Sequence, residues 1–192
     1  MTPIAFVGFD CETTGLHPRG NPPDALLEVG MIAYTADLTP VSQFSSLVFS
    51  PRAQARIDAG NPDPVVWKMH LDSGLWDELY AIRSGRREAD ISPAVVEQTA
   101  LDWLDMQGIT EQLPMLGSSI TFDRGFLDEE MPRLHSKFHY HSLDATSIIT
   151  AVETVAGCPV PVPENEGKHR VLADIEHSAE IIRQSLHVLE GN

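Results

Sequence analysis

The stretch Ile4–Phe9 is apolar throughout and breaks off at Asp10-Cys11-Glu12. An uninterrupted run of that kind reads as a strand buried in the interior of a sheet, with no charge until its end. The carboxylates arrive where that strand emerges. Side chains at i and i+2 share one face of a strand, so Asp10 and Glu12 project together while Cys11 points away. Two carboxylates side by side at a buried strand end repel and resist ionisation unless a cation sits between them. The plainer alternative is a strand that turns polar as it surfaces, with Thr14-Gly15 making the turn.

Further strands follow. Leu26–Tyr34 reads as a second strand and Phe44–Phe49 as a third, with Pro40 and the Asp37 region as the turn between them, giving a three-stranded antiparallel meander. A Pro-interrupted loop runs from Asn61 to Pro64, then a helix over Val65–Arg83 broken near Gly74. Ser92 as N-cap and Pro93 at the first helical position open a helix with Val96, Ala100, Trp103 and Leu104 at helical spacing, closing before Gly108. Met115–Gly117 is a short strand, Phe122–Leu134 a helix ended by Pro132, His139–Leu143 a strand and Ala145–Ala156 a helix. Cys158–Gly167 is a loop and Val171–Leu189 an amphipathic helix. Strands followed by alternating helices and strands predict an α/β fold, a mixed sheet with helices packed on it, as one domain over residues 1–192.

Composition narrows the function classes. At 42% hydrophobic residues the chain is globular, and its apolar runs are far too short to span a membrane. The N-terminus lacks the order of a signal peptide, and two cysteines, Cys11 and Cys158, do not make a disulfide framework, so the expected location is cytoplasmic. Thirteen Lys+Arg against 28 Asp+Glu leave a net charge of −15, which argues against a protein that grips long duplex by releasing counterions. An enzyme of short nucleic acids needs few phosphate contacts, and bound Mg²⁺ neutralises an acidic centre locally.

Two more acidic signals lie downstream. Gly117-Ser118-Ser119-Ile120-Thr121-Phe122-Asp123 takes a strand end into a helix and places Asp123 in its first turn, where an acid also simply complements the helix dipole. His169-Arg170-Val171-Leu172-Ala173-Asp174 puts a histidine before a helix and an aspartate on its inner side with Val171 and Ser178. A histidine there is often a cap, but a carboxylate among apolar positions is costly to bury unpaired.

Taken together, these signals resemble the DEDD exonuclease superfamily, His subtype, and within it the oligoribonucleases. The resemblance extends to His70-Leu71-Asp72-Ser73-Gly74-Leu75, Ser119-Ile120 with Asp123-Arg124 and Phe126-Leu127, Met131-Pro132, Phe138-His139-Tyr140 with Leu143-Asp144, and His169-Arg170 with Leu172, Asp174-Ile175 and Ser178, nearly the full chain. It implies a ribonuclease H-like sheet and a 3′→5′ exoribonuclease that degrades short RNA to nucleoside 5′-monophosphates. The implied ligands of two Mg²⁺ or Mn²⁺ ions are Asp10, Glu12, Asp123 and Asp174, with His169 as general base. Implied substrate contacts are Leu16, Trp67, Ser119, Tyr140, His141, Thr146 and Ser147, with short single-stranded RNA as partner and Tyr140 acting across a homodimer.

Three positions depart from the family pattern. Trp67 lies three residues before His70, whereas the family's tryptophan lies five before it, where this chain has Val65. His141 stands where the family often has arginine, and a titratable ring is a weaker phosphate clamp than a fixed fork. Ala173 replaces a common acid. A DEDD-type DNA exonuclease, or a proofreading-like trimmer of longer strands, is the alternative; it needs a basic groove that few clustered Lys/Arg could build. A non-catalytic binding protein on this fold should lack at least one of the five key residues, and none is missing.

Overall fold

The computed structural model describes residues 3–59, 63–86, 89–167 and 169–190, so the expected loop from Asn61 begins outside them. The first strand, β1 (Ile4–Thr13), is the middle of a five-stranded mixed sheet of order β3-β2-β1-β4-β5. On one side it pairs antiparallel with β2 (Leu26–Thr35), which pairs antiparallel with β3 (Pro40–Leu47). On the other side β4 (Leu113–Gly117) and then β5 (Phe138–Asp144) run parallel to it. The meander and both later strands are present, with β3 starting four residues before and ending two residues before the expected Phe44–Phe49.

The alternation of β1 sorts its side chains cleanly. Val7, Phe9 and Cys11 enter a core with Val29, Met31 and Met115, closed by Val96, Ala100, Trp103 and Leu104 of α4 (Pro93–Met106) and Phe126 and Leu127 of α5 (Thr121–Glu130). Each large side chain buried there contributes about 1.5–3 kcal/mol. The opposite face, which carries Gly8, Asp10 and Glu12, is covered by α8 (Val171–Glu190) through Ile175, Ala179 and Ile182. Glycine makes that approach possible. A Cβ on Gly8 would lie 2.4 Å from Ile175 Cγ2, and one on Gly30 would lie 2.6 Å from Val171 Cγ2. Gly30 is the register partner of Asp10, so the start of α8 presses on bare backbone beside the first carboxylate.

Several boundaries differ from expectation, each for a local reason. The segment after β3 holds an unexpected helix, α1 (Pro51–Asp58), whose N-cap Ser50 accepts a hydrogen bond from the Ala53 N–H at 3.0 Å. Pro40 is the first residue of β3 and not part of the turn; β3 is an edge strand, where a missing N–H costs no ladder bond. The turn is made at Leu38, which adopts a φ of 62°. The helical stretch is broken at Gly74 as expected, into α2 (Pro64–Asp72) and α3 (Leu75–Arg83), the glycine taking a φ of 77°. The Phe122–Leu134 helix stops at Glu130 and restarts as α6 (Pro132–His135), because Met131 precedes proline and leaves the helical region at φ −139°, ψ 58°. Ser92 occupies the N-cap position of α4 without a side-chain capping bond; instead Asp90 accepts the Ser92 N–H at 3.0 Å. The remaining helix, α7 (Ala145–Ala156), pairs with α8 on the sheet. Among the described residues no helix is long and apolar enough to cross a membrane.

Candidate active site

Asp10, Glu12 and Asp174 each present an oxygen within 4.8 Å of the others. The strand pleat brings the first two together, and the close seat of α8 delivers the third. Asp123, from the first turn of α5, lies outside that trio but adjoins it: its Oδ1 accepts the Cys11 N–H at 3.1 Å, and its charge bears on Asp10. Asp123 is 2% exposed and Glu12 7%. Burial first, and then the charges of Asp123, Glu12 and Asp174, push the Asp10 carboxyl well above the carboxylate range. Glu12 is pushed to about 8 by burial and by Asp174, Glu28 and Asp123, with Arg170 pulling the other way. Asp123 and Asp174 are raised too, by burial above all. Four carboxyl groups that resist ionisation when left alone are a site that gains by receiving positive charge.

Asp174 is held by its own helix entry. Its Oδ2 accepts the His169 backbone N–H at 2.9 Å and its Oδ1 accepts the Asn165 amide at 2.5 Å. His169 has a φ of 66°, uncommon for a residue with a side chain, and is fixed on its other side by Arg170. The Arg170 guanidinium forks onto both oxygens of buried Glu28 at 3.0 and 2.9 Å and donates to Glu78 at 2.7 Å. The His169 side chain lines a groove of about 490 Å³ together with Val65, Met69, Asp72 and Glu166. Gly167 packs directly on the start of α8: a Cβ there would lie 2.7 Å from the Ala173 Cβ.

His70 was part of a matched motif but had no role assigned to it. It is fully buried, with Nε2 2.8 Å from Thr13 O, so that nitrogen carries the proton. Its Nδ1 has no hydrogen-bond partner among the described residues and lies 3.7 Å from Glu12 Oε2. Burial lowers the imidazole pKa. Arg170 likewise sat inside a motif without a role. Asn165 lies in an irregular loop where no periodicity could single it out.

The expected substrate contacts fall into two groups. Ser119, with a φ of 56°, stands 3.5 Å from the Thr146 hydroxyl, and Ser147 follows in the same first turn of α7. Asp144 joins these pieces: its Oδ2 accepts the Ile120 N–H and its Oδ1 the Ser147 N–H, each at 2.9 Å. Leu16 is exposed on the loop after β1. Tyr140 is 80% exposed on β5, its ring packed against those of His139 and His141. Trp67 is elsewhere. Its ring stacks on Trp76 at 4.5 Å and lines a separate cavity with Phe49 and Tyr80, while Val65 faces the His169 groove. On a helix, positions two apart face different ways, so the displaced tryptophan is turned out of the groove.

No family model matches the chain. The oligoribonuclease of Tropheryma whipplei is 35% identical over 192 residues, covering 99% of this chain and 96% of that protein. The oligoribonuclease of Nocardia farcinica is 33% identical over 93% of this chain and 77% of its own length. That of Nitrosomonas europaea is 29% identical over 93% and 91%. Among solved structures, E. coli Exonuclease I in complex with a dT13 oligonucleotide carrying a 5cy label superposes with a TM-score of 0.67 at 14% identity. The match takes in 99% of this chain and 43% of that one. Exonuclease I of Methylocaldum szegediense gives 0.65 at 16%, with 96% and 41% covered. These last two share the fold of the sheet and its helices, and this chain spans less than half their length. With more than a third of its residues identical to a relative matched almost end to end, this chain belongs to the oligoribonuclease family.

Proposed function

We propose that this enzyme, a 3′→5′ exonuclease of short oligonucleotides, uses Asp10, Glu12, Asp174 and Asp123 to hold two divalent cations, magnesium or manganese, with His169 as general base. The observation that carries this reading is the convergence of three carboxylate oxygens within 4.8 Å beside a fourth buried carboxylate. The donor set fits hard dications, which prefer oxygen ligands, and the raised carboxyl pKa values mark a site that favours added positive charge. When bound, such ions supply Lewis acidity at the scissile phosphate and its leaving oxygen.

The chain's own residues supply the rest. His169 takes the proton of the attacking water as general base. Arg170 and Asp174 fix the backbone on both sides of that ring. Ser119, Thr146 and Ser147 offer hydroxyls to phosphate oxygens of a short strand, and Leu16 packs between bases. His141 adds a phosphate contact weaker than an arginine fork. Tyr140, fully presented on an edge strand, stacks on a base in a second copy of this chain. Sedimentation across dilution tests that last point: a monomer at working concentration removes the cross-subunit contact.

A second reading keeps the centre and changes the sugar, because the superposed exonucleases include complexes with deoxyoligonucleotides. Degradation of a dinucleotide, a pentanucleotide and a long single strand, each as RNA and as DNA, decides between them. Fastest turnover of the shortest RNA is expected. Preference for long DNA would overturn the assignment.

A further inference from the structure

Helix α1 directs Arg52 and Arg56, one turn apart, at the loop that joins β1 to β2. Arg56 Nε donates to Asp24 Oδ1 at 2.6 Å, with the two side chains only 12% and 2% exposed. Arg52 donates to the Pro18 carbonyl. Asp24 is the hub of the loop: Oδ1 also accepts the Thr14 hydroxyl at 3.1 Å, and Oδ2 accepts the His17 N–H at 3.0 Å. Its own N–H reaches the His17 carbonyl at 2.9 Å. Gly15 is packed so tightly on this carboxylate that a Cβ would lie 2.6 Å from it. On the far side Arg19 pairs with Asp128 and Glu129 of α5, both at 2.5 Å. Between Gly15 and His17, Leu16 stands out with 58% of its surface exposed.

A buried ion pair is a poor way to gain stability, because desolvation cancels most of its attraction. Here two guanidinium nitrogens, Arg52 Nε and Arg56 Nη1, are even left buried without a hydrogen-bond partner among the described residues. What the arrangement gains is geometry: the backbone on either side of Leu16 is tied to one carboxylate. We propose that Asp24 and Arg56 are positioning residues that hold Leu16 at the angle needed to enter between the bases of a short substrate. This rests on reading Leu16 as a substrate contact. Without the pair, the loop must be ordered at each binding event, which weakens binding and leaves the chemical step intact.

The test uses the full chain with Mg²⁺ and a dinucleotide. Arg56→Gln is expected to raise KM roughly tenfold at nearly unchanged kcat, the signature of lost binding common to ground and transition states. Arg56→Lys should restore part of the loss. Leu16→Ala should raise KM similarly, and the double variant should be no worse than the worse single one, because both remove the same contact. Asp24→Asn, which removes the charge and turns one of the two acceptor oxygens into a donor amide, repeats the measurement should Arg56→Gln not fold. An unaltered KM in Arg56→Gln beside a raised one in Leu16→Ala, or fully additive effects, would overturn the positioning role alone. An unaltered KM in Leu16→Ala would remove the substrate reading and the positioning role together.

Discussion

Asp10, Glu12 and Asp174 sit on a strand and a helix locked together through the core, whereas Leu16, Tyr140 and His141 sit on a loop and an exposed edge strand. The first region is set by features that a sequence displays over long distances: strand alternation, two glycines that admit α8, and a helix that begins beside Asp10. The second is set by single side chains and by contacts remote in sequence, such as those of Asp24 with Arg56 and Asp144 with Ile120. On the proposed reading, the chemistry is built into the scaffold and the recognition is attached to it.

That contrast can be broken or sharpened by substitution. His169→Ala should lower kcat by roughly 10²–10⁴-fold, the usual range for a general base, with Mn²⁺ affinity unchanged. A matching loss of Mn²⁺ binding would place His169 in the ligand set instead. Gly30→Ala should cost about 1–3 kcal/mol in urea unfolding, since the added methyl meets Val171. It should also reduce kcat, because α8 carries Asp174; a stability loss with full activity would uncouple the helix seat from the centre.

The pH dependence of the metal-free protein follows from the raised carboxyl groups. Glu12 ionises near its ordinary 4.5 in the unfolded chain and only at about 8 in the folded one. The stability it contributes is therefore complete below 4.5 and is lost as pH climbs through about 8, with Asp10, Asp123 and Asp174 acting in the same direction. Tm should fall across that window without metal, and added Mg²⁺ should raise it most at the alkaline end. A flat or rising metal-free profile would contradict the crowding of these groups. The smallest effect on catalysis belongs to Trp67→Ala. It should cost only about 0.5–1.5 kcal/mol of stacking beyond lost burial and leave KM near the original value. A large rise in KM would return Trp67 to the substrate wall.

Most of the sheet was legible because β1 opens as an uninterrupted apolar run and β2 is apolar enough to be buried along its whole length. The carboxylates were legible because i, i+2 spacing on a strand fixes a shared face. Helix α1 was not: it is eight residues long, and its one strong signal is Ser50 followed by Pro51. Its arginines act only through a loop more than thirty residues away in sequence, which no local pattern reveals. Trp67 was misleading for a related reason, since a shift of two positions on a helix changes the face while leaving the motif around His70 intact. Asp123 showed its helix position in the sequence but not the hydrogen bond to Cys11 that ties it to β1.

The centre itself is best tested by titrating the protein with Mn²⁺ and following free ion by electron paramagnetic resonance. Two ions per chain are expected, and Asp10→Asn should weaken uptake sharply while raising the Tm of the metal-free protein, because one repelling charge is gone. Uptake by Asp10→Asn equal to that of the unaltered chain, or none by either, would contradict a dication centre on these carboxylates.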